Sequence, residues 1–334
     1  MPSIAAVPLV LILSLIATPS LGAEVREFAF PDASPCLSEG EWLQLRARAE
    51  LSIARLTEDG ALPPPDPSAA VSFDWPLRAS ADHDAFGYHT VFNFVDHDPD
   101  YPDRLLDYEC GTRSYDTTNG VNHNGTDYIP WPFWWWMMDN DRVEIVAAAG
   151  GTIIDKRDGY DDRSCTPGGT ANMVAIQHAD GTRAWYLHMK TWSVTPKAIG
   201  ETVETGELLG LIGSSGSSTV PHLHFDVRDV NWNTFDPYAG PCNDTVSASW
   251  WIEQRPYYDS AINAIYTHGA PPEFPECPQQ EILNLRDSFA PGEAVFYAIY
   301  HRDLVLGQVA RYEVRRPDDS IAQSGMYSIE DPFY

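Results

Sequence analysis

The sequence predicts a mainly β protein built round a small antiparallel sheet, with a short helical segment ahead of it and a β-rich region behind. Three observations point there. Five β-type runs, at residues 143–146, 152–154, 173–177, 184–189 and 223–227, follow one another closely. No helix-length periodic stretch separates them, so no βαβ crossover is available and neighbours must run antiparallel. Asp180-Gly181, between two of the runs, is the residue pair that a tight hairpin needs, and Gly200, Gly206, Gly210, Gly213 and Gly216 punctuate the last connection.

Composition narrows the class. The chain has 334 residues, 43% of them hydrophobic and 12% aromatic, which suits a globular protein of about two domains. Lys and Arg number 21 against 48 acids, a net charge of −27. Nucleic-acid affinity comes mostly from cations neutralising phosphates, so the balance argues against a nucleic-acid partner and against an anionic membrane surface.

The elements follow in order. Residues 1–23 carry no charged side chain, and Pro8 to Ala17 is a short apolar run, about half of the ~20 residues that span a bilayer. With Leu21-Gly22-Ala23 before Glu24, residues 1–23 read as a secretory signal peptide. The expectation is an exported protein, periplasmic or extracellular, with no membrane insertion once that segment is removed. Ser38 and Glu41 form a capping-box pair, and Trp42, Leu45, Ala49, Ile53 and Leu56 make one apolar helical stripe that Gly60 closes. Pro63, Pro64, Pro65 and Pro67 form a linker, so residues 24–70 are an N-terminal helical segment that either packs on the main domain or covers its active site.

The main domain is set at residues 71–245. It opens with strands at Val71–Trp75 and Val91–Val95, then an acidic loop in which Asp96, Asp98 and Asp100 alternate and are expected to be solvated. Residues 246–334 are read as a linker, with a short helix at 260–266, and a β-rich region with strands at 294–300 and 309–314. Five cysteines, Cys36, Cys110, Cys165, Cys242 and Cys277, lie in no CxxC spacing, which argues against a thiolate metal site. At most two disulfides can form, and Cys242 with Cys277 is the expected pair because the loop between them is short.

Three segments carry chemistry. His222 and His224 stand two apart in a strand pattern, so both point to one face while Leu223, Phe225 and Val227 point to the other. Tyr186 and His188 repeat that arrangement, and His123 and Asp127 flank Gly125 at a spacing that aims both at one ion. HExxH is absent, which excludes the glutamate-base zinc proteases, and Gly213-Ser214-Ser215-Gly216-Ser217 is not a nucleophile elbow.

Together, His123-x-Gly125-x-Asp127, the Val-Ala-Gly stretch of Val146 to Gly151, Tyr186-Leu187-His188, the glycine run of Gly206 to Gly216, and His222-Leu223-His224 resemble the lysostaphin-like (LytM-type) zinc endopeptidases. The resemblance covers residues 71–240. It implies the small antiparallel metallopeptidase fold with a groove, of the duplicated-hybrid-motif type. It implies one Zn2+ per chain on His123, Asp127 and His224, with His188 and His222 as catalytic histidines whose division of labour stays open. The implied substrates are peptidoglycan stem or cross-bridge peptides. The alternatives are a secreted protease with a protein substrate, or a non-catalytic regulator of another cell-wall hydrolase. The chain departs from the pattern after Asp127, where six of the nine residues from Tyr128 to Trp136 are aromatic. That run is either a wall of the groove or a plug buried against the N-terminal or C-terminal region. Residues 155–170, with Cys165, look like a second insertion at the groove edge.

Overall fold

The computed structural model describes residues 37–117 and 120–329 in full and, ahead of them, the backbone of residues 9–15 and 23–27. The elements in chain order are β1 (Leu9–Leu15), β2 (Ala23–Glu27), α1 (Glu39–Glu58), β3 (Leu77–Ala79), β4 (His89–Asn93), β5 (Thr126–Pro130), α2 (Trp134–Asp139), β6 (Val143–Val146), β7 (Gly151–Arg157), β8 (Met173–Gln177) and β9 (Arg183–Leu187). They continue with β10 (Thr202–Val203), β11 (Leu208–Leu211), β12 (Leu223–Arg228), β13 (Ala261–His268), β14 (Val295–Arg302), β15 (Val309–Arg315) and β16 (Ile321–Ser328). Among the described residues no helix is long and apolar enough to cross a membrane.

A seven-stranded antiparallel sheet, in the order β10-β7-β8-β9-β12-β5-β4, carries the site. A three-stranded sheet, β11-β6-β3, packs against one of its faces. The five β runs of residues 143–227 all form, and the β8–β9 hairpin turns at Gly181, whose φ of 90° suits a residue without a Cβ. The mainly β, antiparallel expectation therefore stands.

The two faces of the large sheet are buried by different partners. On one side Ile153, Val174, Ile176, Tyr186, Phe225 and Val227 join the main core. On the other, Ile154, Met173, Ala175, Trp185 and Leu187 lie under Leu45, Ala49 and Leu56 of α1. Ser38 caps α1 with the capping box that the sequence suggested, and Gly60 follows the last turn at φ 71°. Apolar burial is not the helix's only anchor. Arg48 binds both oxygens of Asp155, at 3.0 and 2.7 Å, and the Arg228 guanidinium sits 3.9 Å over the Trp42 ring.

The C-terminal region is part of the same body. Phe133 stacks on Phe274 and Tyr266, Trp131 donates its indole N–H to the His301 carbonyl at 2.8 Å, and Glu281 accepts the N–H groups of Trp135 and Trp136 at the start of α2. The aromatic run is thus a plug against the C-terminal region and not a groove wall. A lone stretch of this apolarity stays out of water only when a second segment covers it.

Several expectations need correction. Residues 260–266 are strand and not helix, because β13 pairs along β14 and presents Ala264 to the core. Residues 71–75 form only a bridge from Phe73 to Trp251, and the strand begins at Leu77. Asp96 is buried, not solvated: one oxygen accepts the N–H groups of Asp98 and Leu106, and burial pushes its carboxyl up to about 6. The disulfides are Cys110–Cys242 and Cys165–Cys277, not Cys242–Cys277. Loop length favoured the short closure, but tertiary packing brings together cysteines 132 and 112 residues apart. Cys36 lies outside the described residues, as do residues 1–8 and 16–22 of the expected signal peptide. The backbone of Leu9–Leu15 pairs with β14.

Candidate metal centre

The centre is built where β5, β12 and the end of β9 lie side by side. Asp127 of β5 pairs with His224 of β12, and His224 pairs with Leu187 of β9, so the three side chains project from one face. His123 reaches that face from the segment before β5, held by its N–H to the Tyr115 carbonyl and by Tyr115 packing on its ring at 4.5 Å. His222 sits just before β12, bridged to Gly213.

His188 arrives by a different route from the one that strand alternation suggests. Phe225 pairs with Tyr186, which puts Tyr186 on the core face, opposite His224, where its hydroxyl accepts the Ala148 N–H. Tyr186 therefore faces away from the centre, and strand alternation alone would turn His188 away with it. His188 follows the last residue of β9 at φ 63°, and this left-handed step turns its ring back towards His222, 4.5 Å away, and His224, 6.0 Å away.

Three donors converge. His123 Nε2 is 3.1 Å from Asp127 Oδ2 and 3.3 Å from His224 Nδ1, which is 2.9 Å from Asp127 Oδ1. These atoms all lie within 4.8 Å of one another, and all three residues are buried. The tautomers say what belongs between them. His123 donates its Nδ1 hydrogen to the Phe94 carbonyl at 2.7 Å, so the neutral ring turns a bare lone pair on Nε2 towards a carboxylate. Two acceptors facing each other in a buried place need a cation between them, a proton or a metal. Two imidazole nitrogens and a carboxylate oxygen are a donor set that suits zinc, and three protein ligands leave a tetrahedral position open.

The electrostatics agree. Burial opposes the carboxylate form of Asp127, but His123, His224 and His222 around it hold its carboxyl well below the usual range. Burial likewise opposes a charged His123, yet Asp127 and the Phe94 carbonyl outweigh it and raise the ring. His188 goes the other way, pushed well down first by burial and then by the neighbouring His222 and His224, and burial also lowers His222.

His188 and His222 present the same chemistry to the centre. His188 donates its Nδ1 hydrogen to the Ser215 carbonyl at 2.7 Å, and His222 donates its own to the Val220 carbonyl at 2.8 Å. Both rings therefore keep a lone pair on Nε2. That of His222 lies 3.7 Å from Asp127 Oδ1, and that of His188 is buried with no hydrogen-bond partner among the described residues.

Gly125 is required by space. A Cβ there would stand 2.7 Å from the Phe225 carbonyl oxygen and 2.8 Å from Cε1 and Nε2 of His224. Sequence reasoning missed the supporting residues. Asn93 of β4 donates to Asp127 Oδ2 at 3.0 Å and holds that carboxylate in place, while Phe94 fixes the His123 tautomer through its carbonyl. A lone Asn carries no motif, and only the register of β4 on β5, where Asn93 pairs with Asp127, reveals it.

Comparison with known proteins bears on this geometry. Residues 136–237 match the model of Peptidase family M23. The matched stretch contains His188, His222 and His224 and starts at Trp136, the last residue of the aromatic run, so it leaves out His123 and Asp127. The chain is 35% identical over 97 residues to a DD-carboxypeptidase/endopeptidase of Neisseria meningitidis serogroup B, covering 29% of this chain and 21% of that protein. It is 32% identical over 108 residues to the glycyl-glycine endopeptidase ALE-1 of Staphylococcus capitis, covering 32% of this chain and 25% of that protein. The chain thus spans about a quarter or less of the length of these curated relatives. Among solved structures, the catalytic domain of lysostaphin from Staphylococcus simulans is 27% identical, over 37% of this chain and 82% of that one, with a TM-score of 0.26. Over residues 136–237 the chain is thus similar to the peptidases of family M23, lysostaphin-type endopeptidases among them.

Proposed function

We propose that the protein is an exported zinc endopeptidase that hydrolyses peptide bonds of peptidoglycan, in its stem or cross-bridge peptides. The observation that carries this reading is the meeting of three ligand atoms with two histidine lone pairs on one sheet face. The activities named for the Neisseria and Staphylococcus relatives support the choice of substrate.

His123, Asp127 and His224 would hold one zinc ion. When bound, zinc supplies Lewis acidity, acidifying a water molecule and polarising a carbonyl. The histidines do the proton work. With Nδ1 tied to a backbone carbonyl, each of His188 and His222 can take a proton only at Nε2, and burial keeps both rings neutral and so able to accept one. A ring that has gained a proton becomes a donor on both nitrogens and can stabilise an oxyanion or return the proton to the leaving amine. Asn93 and the Phe94 carbonyl keep Asp127 and His123 oriented throughout.

Residues 1–23 would be removed on export, which would also take β1 from beside β14. The test is a digest of purified peptidoglycan by the zinc-loaded protein, with and without a chelator, read by mass spectrometry. New chelator-sensitive peptide termini are expected. A chain that holds zinc yet cuts neither peptidoglycan nor isolated stem peptides would overturn the reading in favour of a protein substrate or a regulatory role.

A further inference from the structure

Beside the metal centre, α1 and the large sheet flank a small open cleft. Its apolar walls include Leu45 of α1, Ala171, and Leu187, the β9 residue paired with His224. Ser217 lines it from the loop whose Ser215 carbonyl fixes His188. Arg157, at the end of β7, supplies its positive charge.

The Arg157 guanidinium has no hydrogen bond or ion pair among the described residues, although the chain carries 48 acids to 21 Lys and Arg. The acids around it are engaged elsewhere, Asp155 through both oxygens and Glu41 through one. Asp155 gives one oxygen to Arg48 Nη2 and the Lys156 N–H and the other to Arg48 Nε. Glu41, on the cleft wall, accepts the N–H and hydroxyl of Ser38 through Oε2. Burial disfavours the charge of Arg157, Arg48 nearby disfavours it further, and Asp155 and Tyr160 offset this only in part. A guanidinium left this way has a five-donor planar fork whose natural complement is a carboxylate.

The register fixes its distance from the chemistry. Arg157 pairs with Met173, Tyr186 pairs with Val174 so that Leu187 falls beside Met173, and Leu187 pairs with His224. Arg157 and the ligand His224 thus stand on one face, three strand spacings or about 14 Å apart at the backbone, a span of about four residues of extended peptide.

We propose that this cleft is a substrate subsite in which Arg157 binds a carboxylate within about four residues of the scissile bond. The proposal rests on the peptidase reading above. It gives α1 a role in recognition, as one wall of the subsite, and makes the enzyme selective for peptides that keep a free carboxylate there.

The test uses the zinc-loaded full chain and three synthetic stem-type peptides: one with all carboxylates free, one with a C-terminal amide, and one with its internal carboxylate replaced by a carboxamide. Wild type is expected to favour the free peptide by 10-fold or more in kcat/KM over one of the two amides, and which amide suffers tells a C-terminal carboxylate from an internal one. Arg157→Gln should bring that ratio to within two-fold of unity, and Arg157→Lys should keep part of it. Because the ratio is taken within one preparation, partial loss of folded enzyme cancels. Equal cleavage of all three peptides by wild type, or a preference that survives Arg157→Gln, overturns the subsite and leaves the peptidase reading intact. If none is cut and peptidoglycan is not cut either, the peptidase reading has failed. The subsite is then judged by NMR titration with N-acetylalanine and N-acetylalaninamide, where equal affinities overturn it and a carboxylate preference lost in Arg157→Gln supports it.

Discussion

Gly125→Ala is the sharpest perturbation of the centre, because it adds one methyl group and removes no donor. The new Cβ would lie 2.7 Å from the Phe225 carbonyl oxygen and 2.8 Å from Cε1 and Nε2 of His224. Ordinary contact needs about 3.4 Å or more, so either the His224 ring or the β12 backbone must retreat by about 0.6 Å. Metal–ligand distances tolerate about 0.2 Å. A ring that moves with the methyl therefore no longer meets a metal on His123 and Asp127, and a ring that stays is strained. Overpacking of this kind costs about 1–3 kcal/mol, equivalent to about 5- to 150-fold in an equilibrium constant. Zinc affinity by chelator competition and metal-free stability by urea unfolding together capture the cost, since it must appear in one or the other. Unchanged zinc affinity together with unchanged stability would refute the argument that Gly125 is required by space.

The remaining predictions follow from other parts of the structure. His224→Ala should lose bound zinc, whereas His222→Ala should keep most of it and lose turnover; stoichiometric zinc in both variants, measured by atomic emission, would sink the ligand assignment. Glu281 is held up at about 7 by burial, above its usual 4.5, so its contribution to stability is full below pH 4.5 and declines as pH rises to 7. Comparison of wild type with Glu281→Gln by urea unfolding should show wild type losing up to about 3 kcal/mol relative to the variant between those pH values, and a constant difference would refute it. Removal of residues 246–334 should expose Trp131, Phe133 and Trp135 and break the Cys165–Cys277 link. The truncated chain should bind a hydrophobic dye and aggregate; a soluble fragment melting at the full-length temperature would mean that the C-terminal region is a separable module.

Much of the fold lies in local pattern. The five β runs, the Asp180-Gly181 hairpin and the capping box of α1 are short-range signals, carried by alternation, turn chemistry and capping, and each appears where its residues put it. The candidate site was legible for a related reason. His123-x-Gly125-x-Asp127 and His222-x-His224 need only a few residues of extended chain to aim their donors together. His188 was legible as a motif but not as geometry, because alternation assigned Tyr186 to its face and the left-handed step at residue 188 decides otherwise.

What only the tertiary structure decided is whatever depends on segments far apart in the chain. The partners of Cys110 and Cys165 lie more than a hundred residues away, and loop-closure cost, the one guide available in sequence, ranks such pairs last. The segment at 260–266 is a strand because β14 supplies its hydrogen bonds, and the aromatic run is buried because the C-terminal region covers it. Asn93 and Arg157 gain their places from sheet register alone, one beside Asp127 and the other in line with His224. By itself the sequence determined which donors this protein has and which strands bear them. Packing decided which neighbours hold those donors in position and left the Arg157 guanidinium without a partner among the described residues, because register and burial join residues that no local spacing relates.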